Sequence, residues 1–167
     1  MNNIKHEIED QIARWDRLGS PCLLDRFILR NGREGIAQAR PRGMRKMADK
    51  QCFRNAAVSV RMGFHYVEGY AMAPYALGML VHHAWLEEDD GRVIDLTWKR
   101  PEDCQYFGVR FDQEELSEEL LRTRVYGLLV QDDLYNDDFM FRQDPGLKAF
   151  FEDFKKGRKA AAACRTA

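Results

Sequence analysis

Three residues whose side chains can together carry out nucleophilic thiol chemistry lie between Gln51 and Trp98. They are Cys52, His83 and Asp95, in that chain order. A cysteine attacks a carbonyl carbon as its thiolate, and an imidazole takes the thiol proton and later returns it to the leaving group. A carboxylate fixes the tautomer of that imidazole. The three residues therefore predict a triad in which Cys52 is the nucleophile, His83 the base and Asp95 the group that orients it.

Cys52 needs a helix that begins next to it, because a helix N-terminus lowers the pKa of a thiol. Asp49 is the predicted N-cap of such a helix, with residues 50–52 as its first three positions. Apolar residues then recur at the spacing of one buried helix face, and Gly63 is the predicted stop; the apolar residues are Phe53, Ala56, Ala57 and Val60. The pattern places Cys52 in the first turn of an amphipathic helix.

A β-hairpin is predicted to bring His83 and Asp95 together. Its strands are 79–87 and 92–98, and the connection Asp89-Asp90-Gly91 fits a three-residue loop with a left-handed glycine. In this register Glu88 faces Arg92, Trp85 faces Asp95 and His83 faces Thr97. His83 and Asp95 are then diagonal neighbours on one face, with Cα atoms ~7–8 Å apart. A two-residue loop would place them on opposite faces.

The position of Asp95 also favours its pairing with His83. It lies between Ile94 and Leu96 in an otherwise apolar strand. A lone buried carboxylate is costly, so Asp95 is expected to have a partner, and His83 is within reach.

The rest of the chain predicts an α+β domain in which helices flank an antiparallel sheet. An N-terminal helix is expected to end near residues 19–21, and strands are expected at 23–29, 65–72, 104–111 and, more briefly, 126–130. Asp112 is a predicted N-cap, followed by a helix with apolar positions Leu116, Leu120 and Leu121. A last helix buries Leu147, Phe150, Phe151 and Phe154. Residues 31–50 and 132–138 are expected to be solvated loops, and 158–167 a flexible tail. The alternatives are that the basic run 40–46 binds phosphate or an acidic partner and that the acidic tract 132–138 binds a cation.

Composition limits the class of protein. At 167 residues and 19.5 kDa the chain fits a single domain, 1–167, with its catalytic core at about 49–111. A formal net charge of -1 predicts no nucleic-acid or membrane partner. The polar first ten residues predict a cytoplasmic protein. The four scattered cysteines predict neither a disulfide framework nor a Cys-type zinc site, and no metal or cofactor is expected.

The motifs resemble a known group of enzymes. Cys52 followed by a helix, a strand ending Glu68-Gly69-Tyr70, then His83-Ala84-Trp85 and Asp95-Leu96-Thr97 is similar to the core of the transglutaminase-like cysteine enzymes. That group has the papain-like superfold and uses a Cys, His, Asp triad on a helix packed against an antiparallel sheet. Leu96 stands where the group usually has proline. The chain is more narrowly similar to small bacterial and phage proteins that share Tyr-Val-Glu-Gly-Tyr and His-Ala-Trp.

Further residues are candidates for binding the oxyanion or the substrate. Gln51 and the backbone N–H of Cys52 are the candidate oxyanion donors. Five others are candidates for orienting the site or lining a substrate cleft, each with a packing role as the alternative: Asn55, Glu68, Tyr70, Trp85 and Trp98.

The predicted function is a cysteine hydrolase or acyltransferase that acts on an amide or ester through a thioester. The substrate would be a peptide, a protein or a small amide or ester. Two alternatives differ in class: a non-catalytic binding or inhibitor module that holds a partner protein, and a zinc hydrolase that uses His82, His83 and Asp95. His82 is predicted to point away from His83, which disfavours the zinc site. The oligomeric state is left open.

Overall fold

The structure is a computed structural model that describes residues 3–60, 63–131 and 134–165. Its helices are α1 (Ile4–Arg17), α2 (Leu23–Asn31), α3 (Cys52–Ser59), α4 (Gln113–Thr123), α5 (Asp137–Gln143) and α6 (Pro145–Arg165). Its strands are β1 (Arg33–Gly35), β2 (His65–Met72), β3 (Leu80–Glu87), β4 (Val93–Ile94), β5 (Gln105–Phe111), β6 (Val130–Gln131) and β7 (Leu134–Tyr135).

Five strands form one antiparallel sheet in the order β1-β5-β2-β3-β4, and β6 pairs with β7 apart from it. The sheet curls, because the chain after β1 reaches the start of β4. There the Ile36 N–H donates to the Gly91 carbonyl at 2.8 Å, and the Val93 N–H donates to the Ile36 carbonyl at 2.9 Å. The predicted α+β class with an antiparallel sheet is confirmed.

The two faces of the sheet bury different amounts of apolar surface. The larger core joins one face to the helices; its sheet members include Tyr66, Tyr70, Leu86, Phe107 and Phe111. The opposite face holds a smaller cluster: Val67, Ala71, Ala73, Trp85, Val93, Cys104 and Tyr106. Residues of alternating orientation on β2, β3 and β5 supply both clusters, as the two-residue period of a strand requires. The smaller cluster is the one that adjoins His83.

The strand predicted at 23–29 is wrong, because this segment is the helix α2. Leu23, Leu24, Phe27 and Ile28 are its buried apolar residues. Their spacing of one, three and one residues is that of a single helix face. A short apolar run does not by itself distinguish a buried strand from a buried helix.

The strand predicted at 92–98 ends at Ile94. Asp95 ends it, because its Oδ1 accepts hydrogen bonds from the backbone N–H groups of Thr97, at 2.7 Å, and Trp98, at 3.0 Å. Such an aspartate turn takes backbone donors that a ladder would otherwise use. The chain therefore leaves the sheet at the residue that pairs with His83.

The short strand predicted at 126–130 is also wrong for most of its length. The backbone N–H groups of Leu128 and Leu129 donate to the Glu68 carboxylate instead of to a neighbouring strand. Gly127 has φ +113, a conformation that L side chains rarely adopt. Pairing begins only at Val130, in β6.

The acidic tract predicted to be a loop at 132–138 contains regular structure where it is described. Leu134 and Tyr135 form β7, and Asp137 begins α5. Asn136 is the N-cap of that helix, and its side chain accepts from the Phe139 N–H at 3.3 Å. Residues 132 and 133 lie outside the described part of the chain.

Two helices differ in detail from their predicted form. In α4, Asp112 is the N-cap, as predicted, and it forms a capping box with Glu115. Leu116 is buried, but Leu121 is 66% exposed, so its assignment to the apolar face is wrong. The backbone of 158–165, predicted to belong to a tail, continues α6 as far as Arg165. In the parts of the chain that the structure describes, no helix is long and apolar enough to cross a membrane.

Two glycines allow β2 and β5 to approach closely. Gly69 and Gly108 face each other in the register, and a β-carbon at Gly69 would overlap the Phe107 carbonyl oxygen and the Gly108 Cα. We expect Gly69→Ala to lower the free energy of unfolding by about 1–3 kcal/mol through overpacking. Gly157→Ala is the matched control, because no described atom lies within 4 Å of its would-be β-carbon. Thermal melts of the two variants that coincide would contradict this reading.

Candidate active site

Cys52 is the first residue of helix α3. The N-cap is Gln51 and makes no side-chain cap bond, so the prediction that Asp49 caps the helix is wrong. Asp49 forms an ion pair with Lys46, and Lys50 has φ 59, which places it outside a right-handed helix. Cys52 nevertheless lies in the first turn, where the backbone N–H groups have no acceptor within the helix. Gly63, the predicted stop, lies beyond the end of α3 at Ser59.

The sulfur of Cys52 lies at the open edge of β3. Strand β4 pairs with β3 only at Leu86 and Glu87. The N-terminus of α3 packs against the remaining part of β3, and the backbone N–H groups of Ala84 and Phe53 both donate to the Cys52 sulfur. The early end of β4 therefore makes room for the cysteine beside His83.

The hairpin that carries His83 and Asp95 has the predicted register. Gly91 has φ +90, and its N–H donates to the Glu88 carbonyl at 3.0 Å. The Glu88 N–H donates to the Arg92 carbonyl at 2.9 Å, and Leu86 faces Ile94. The three-residue loop at 89–91 is thus confirmed.

His83 and Asp95 form a buried hydrogen-bonded pair. Their side chains meet at 2.8 Å between His83 Nε2 and Asp95 Oδ2, and the residues are 1% and 0% exposed. The Cys52 side chain is close enough to His83 for each to shift the pKa of the other. Because Nε2 faces Asp95, Nδ1 is the ring nitrogen left for the thiol. The structure therefore brings the three predicted triad residues together, with His83 between Asp95 and Cys52.

Asp95 is held by four hydrogen bonds. Oδ1 accepts the two backbone N–H groups of its turn, and Oδ2 accepts from His83 and, at 3.0 Å, from the Tyr106 hydroxyl. Burial raises the pKa of Asp95, but the His83 charge and these N–H donors outweigh burial, so the pKa falls below its ordinary value. Asp95 is thus a fixed anion facing His83.

The pKa values of Cys52 and His83 shift in opposite directions. Burial raises the pKa of the Cys52 thiol, but the hydrogen bond and charge of His83 and the Ala84 and Phe53 N–H groups lower it to a net value below the ordinary 9.0. Burial lowers the pKa of His83, but Asp95 and the Cys52 hydrogen bond raise it to about 9. The two shifts favour a thiolate beside an imidazolium.

The other cysteines with described side chains lack such an environment. Burial, followed by the charge of Asp25, raises the pKa of Cys22 to about 12. Burial raises the pKa of Cys104 to about 11 despite hydrogen bonds to Tyr75 and Tyr106. Cys52 is thus distinguished from both by the group it contacts.

The Trp98 ring lies against that of His83. Its ring lies 4.5 Å from that of His83, centroid to centroid, and it packs edge-on against Tyr75 at 5.9 Å. Trp98 is half-buried and Tyr75 is exposed. Trp98 is therefore a half-buried residue in contact with His83, and its role as the wall of a substrate pocket stays a prediction.

Gln51 and Asn55 differ in how they could serve the site. Gln51 is exposed, and its Oε1 accepts from Arg54 at 3.2 Å, which leaves its amide N–H groups as donors beside Cys52. Asn55 is buried and donates to the Ala48 carbonyl at 2.7 Å and to Thr97 Oγ1 at 2.9 Å. Asn55 thus joins α3 to the Asp95 turn and does not face a substrate.

Three other candidates lie in the protein interior. Glu68 binds the Leu128 and Leu129 N–H groups and the Tyr66 hydroxyl, and burial raises its pKa to about 7. The Tyr70 hydroxyl donates to Asp25 at 2.5 Å. Trp85 is 1% exposed and packs against Tyr106. These contacts correct their predicted place in a substrate cleft: all three hold the sheet to its surroundings.

His82 lies on the opposite face of β3 from His83, where its Nε2 meets the Tyr70 hydroxyl at 2.7 Å. Burial lowers its pKa. Among the side chains that the structure describes, those of residues 3–60, 63–131 and 134–158, no three from His, Cys, Asp or Glu are grouped to hold a metal ion. The alternation of strand side chains separates the two histidines that a zinc site would need.

Two residues that support the site, Tyr106 and Arg40, are not predicted from the sequence. Tyr106, on β5, donates to Asp95 Oδ2, and burial together with the Asp95 charge raises its pKa far above the ordinary value, so the hydroxyl stays protonated. Arg40 donates to the Asp95 carbonyl at 3.0 Å and to the Trp98 carbonyl at 2.5 Å. Both contacts depend on strand order and loop path, which no local motif encodes.

Comparison of the chain with protein-family models, with curated proteins and with solved structures finds no match in any of the three.

Proposed function

We propose that this protein is a cysteine hydrolase or acyltransferase that acts on an amide or ester bond through a thioester on Cys52. The observation that carries the proposal is the grouping of Cys52, at the N-terminus of α3, with the buried, hydrogen-bonded pair His83 and Asp95. We also propose that the α+β fold is a transglutaminase-like core. The proposed substrate is a peptide, a protein or a small amide or ester.

In the first half-reaction the Cys52 thiolate attacks the carbonyl carbon and a C–S bond forms. The tetrahedral intermediate collapses when the C–N or C–O bond breaks, and the His83 imidazolium gives its proton to the departing nitrogen or oxygen. In the second half-reaction neutral His83 takes a proton from water or an amine, which attacks the thioester. The C–S bond then breaks and the thiolate is restored.

The negative charge on the carbonyl oxygen needs donors that are already in place. The Cys52 N–H is at the first position of α3, where it has no acceptor within the helix. The Gln51 side-chain amide is the second candidate, because it adjoins Cys52 and is exposed. The positive end of the helix dipole favours both the thiolate and this developing oxyanion.

The proposal is tested by incubating the protein with p-nitrophenyl acetate near neutral pH and mapping the acetyl group by peptide mass spectrometry. We expect one acetyl group on Cys52, while Cys22 and Cys104 serve as controls within the same molecule. Acetylation of all cysteines to equal extents, or of none without release of p-nitrophenolate above that of Cys52→Ala, would count against an enzyme and in favour of a binding module.

A further inference from the structure

Exposed cations without acidic partners lie on either side of Cys52 in the sequence and in the segment that leads to it. We call Arg42, Arg45, Lys50 and Arg54 the basic rim. All four are exposed, and within the described residues none forms an ion pair; Lys46, between them, is paired with Asp49. Many arginines elsewhere are paired with carboxylates, namely Arg26, Arg30, Arg33, Arg92, Arg100, Arg110, Arg122 and Arg142. The charges of the basic rim are thus available to a ligand.

The charge distribution is uneven along the chain. Residues 40–54 contain six lysines or arginines and one aspartate, a net charge of +5, in a chain whose formal net charge is -1. The remaining residues therefore carry -6. A local excess of one sign raises the concentration of oppositely charged ligands at that surface, even where the whole molecule is nearly neutral.

Hydrogen bonds hold the basic segment against the strand that carries Asp95. Arg40 is bonded to the carbonyls of Asp95 and Trp98. Further along, the Met47 N–H donates to the Leu96 carbonyl at 2.6 Å, and the Ala48 carbonyl accepts from Asn55. Residues 42–46 lie between these anchors, so their side chains project from a segment fixed at both ends.

Lys50 and Arg54 lie on either side of the nucleophile. Lys50 is two residues before Cys52, which limits the distance between their Cα atoms to about 7 Å. Arg54 is two residues after it and is bonded to the Gln51 side chain at the start of α3. The free N–H groups of the helix start add a further preference for negative charge.

We propose that the substrate of Cys52 is an anionic acyl donor, with a carboxylate or phosphate group close to the bond that is attacked, and that the basic rim binds that group. This inference rests on the proposed function. Two members of the basic rim, Lys50 and Arg54, are within two residues of the thiol, whereas the ring that lies against His83, the residue that would protonate the leaving group, is that of Trp98. The anionic group therefore belongs to the acyl portion.

Two esters with the same leaving group test the proposal: p-nitrophenyl acetate, which is neutral, and mono-p-nitrophenyl glutarate, which is anionic. The rate of p-nitrophenolate release in the first turnover, less the release that each ester shows with Cys52→Ala, gives a glutarate-to-acetate ratio; the subtraction is needed because the glutarate carboxylate can itself expel p-nitrophenolate. We expect the wild type to favour glutarate by about tenfold or more at low ionic strength, and the ratio to fall towards one as salt screens the rim.

Two double variants locate the effect. Lys50→Asn with Arg54→Gln removes two charges of the basic rim, and asparagine tolerates the left-handed backbone at position 50. The glutarate-to-acetate ratio is expected to fall severalfold. Arg124→Gln with Lys148→Gln changes the net charge equally at exposed positions outside the rim, and is expected to keep the wild-type ratio.

Sodium glutarate and inorganic phosphate are then compared, at constant ionic strength, as inhibitors of first-turnover release. The better inhibitor shows whether the basic rim binds a carboxylate or a phosphate of the acyl donor. If both esters acylate Cys52 at equal rates, this inference fails while the proposed function stands. If neither ester acylates Cys52, the proposed function fails and this inference with it.

Discussion

Replacement of His83 by alanine is expected to slow the acylation of Cys52 by about four to six orders of magnitude near neutral pH. Loss of general acid–base transfer accounts for about 10²–10⁴ of this. The remainder follows because the thiol pKa returns towards 9.0 or above, which leaves about one per cent thiolate or less at pH 7. The rate is measured as first-turnover acylation of Cys52 by 2,2,2-trifluoroethyl acetate, whose alkoxide leaving group needs a proton, with peptide mass spectrometry as the readout.

His82→Ala is the matched control for this variant. The two histidines are adjacent, but His82 contacts Tyr70 on the opposite face of β3. We expect this variant to keep the acylation rate of the wild type within a few-fold, even if it melts at a lower temperature. Equal losses of acylation in the two variants would mean that the face of the strand is irrelevant, and would contradict the assignment of His83 as the base.

Asp95→Asn is expected to lower the acylation rate by about 10³–10⁴, because the imidazole loses its anionic partner and the tautomer that presents a basic nitrogen to the thiol. The pKa of His83, about 9 beside Asp95, should fall with the loss of that charge. The folded state should also lose stability, because Asp95 accepts four hydrogen bonds at a buried position.

Asp25→Asn separates the effect of Asp95→Asn on acylation from its effect on stability. Asp25 is also buried and also accepts side-chain hydrogen bonds, from Gln11 at 2.7 Å and from Tyr70 at 2.5 Å. Its loss is expected to lower the melting temperature without a comparable loss of acylation. If the acylation rates of the two variants scale with their melting temperatures, Asp95 acts only through stability.

Local patterns predict the site better than they predict the architecture. The loop Asp89-Asp90-Gly91 fixes the register of the hairpin over a few residues, so the pairing of His83 with Asp95 follows from the sequence. Cys52 is likewise found at a helix start, although the capping residue is misassigned. Both features depend on contacts within one or two turns of chain.

The features that the sequence does not reveal depend on long-range order. Tyr106 reaches Asp95 only because β5 lies next to β2 in the sheet, and Arg40 does so only because its loop crosses the Asp95 turn. From the sequence alone Glu68 is a candidate cleft residue, but the structure shows that its partners are the N–H groups of Leu128 and Leu129. The short apolar run of α2 fits the period of a helix and that of a strand. Its packing against α1 and the sheet makes it a helix.

The central claim is that Cys52 is a thiolate held by His83, and the pH dependence of its alkylation tests this most directly. The rate constant for iodoacetamide labelling of each cysteine is measured by peptide mass spectrometry from about pH 5 to about pH 10, a range that spans ordinary histidine and cysteine pKa values. We predict that Cys52 is labelled well below pH 9.0, with a further change near pH 9 as His83 loses its proton, while Cys22 and Cys104 react only at more alkaline pH. A single titration curve at an ordinary thiol pKa for Cys52, like that of a free cysteine, would contradict the claim.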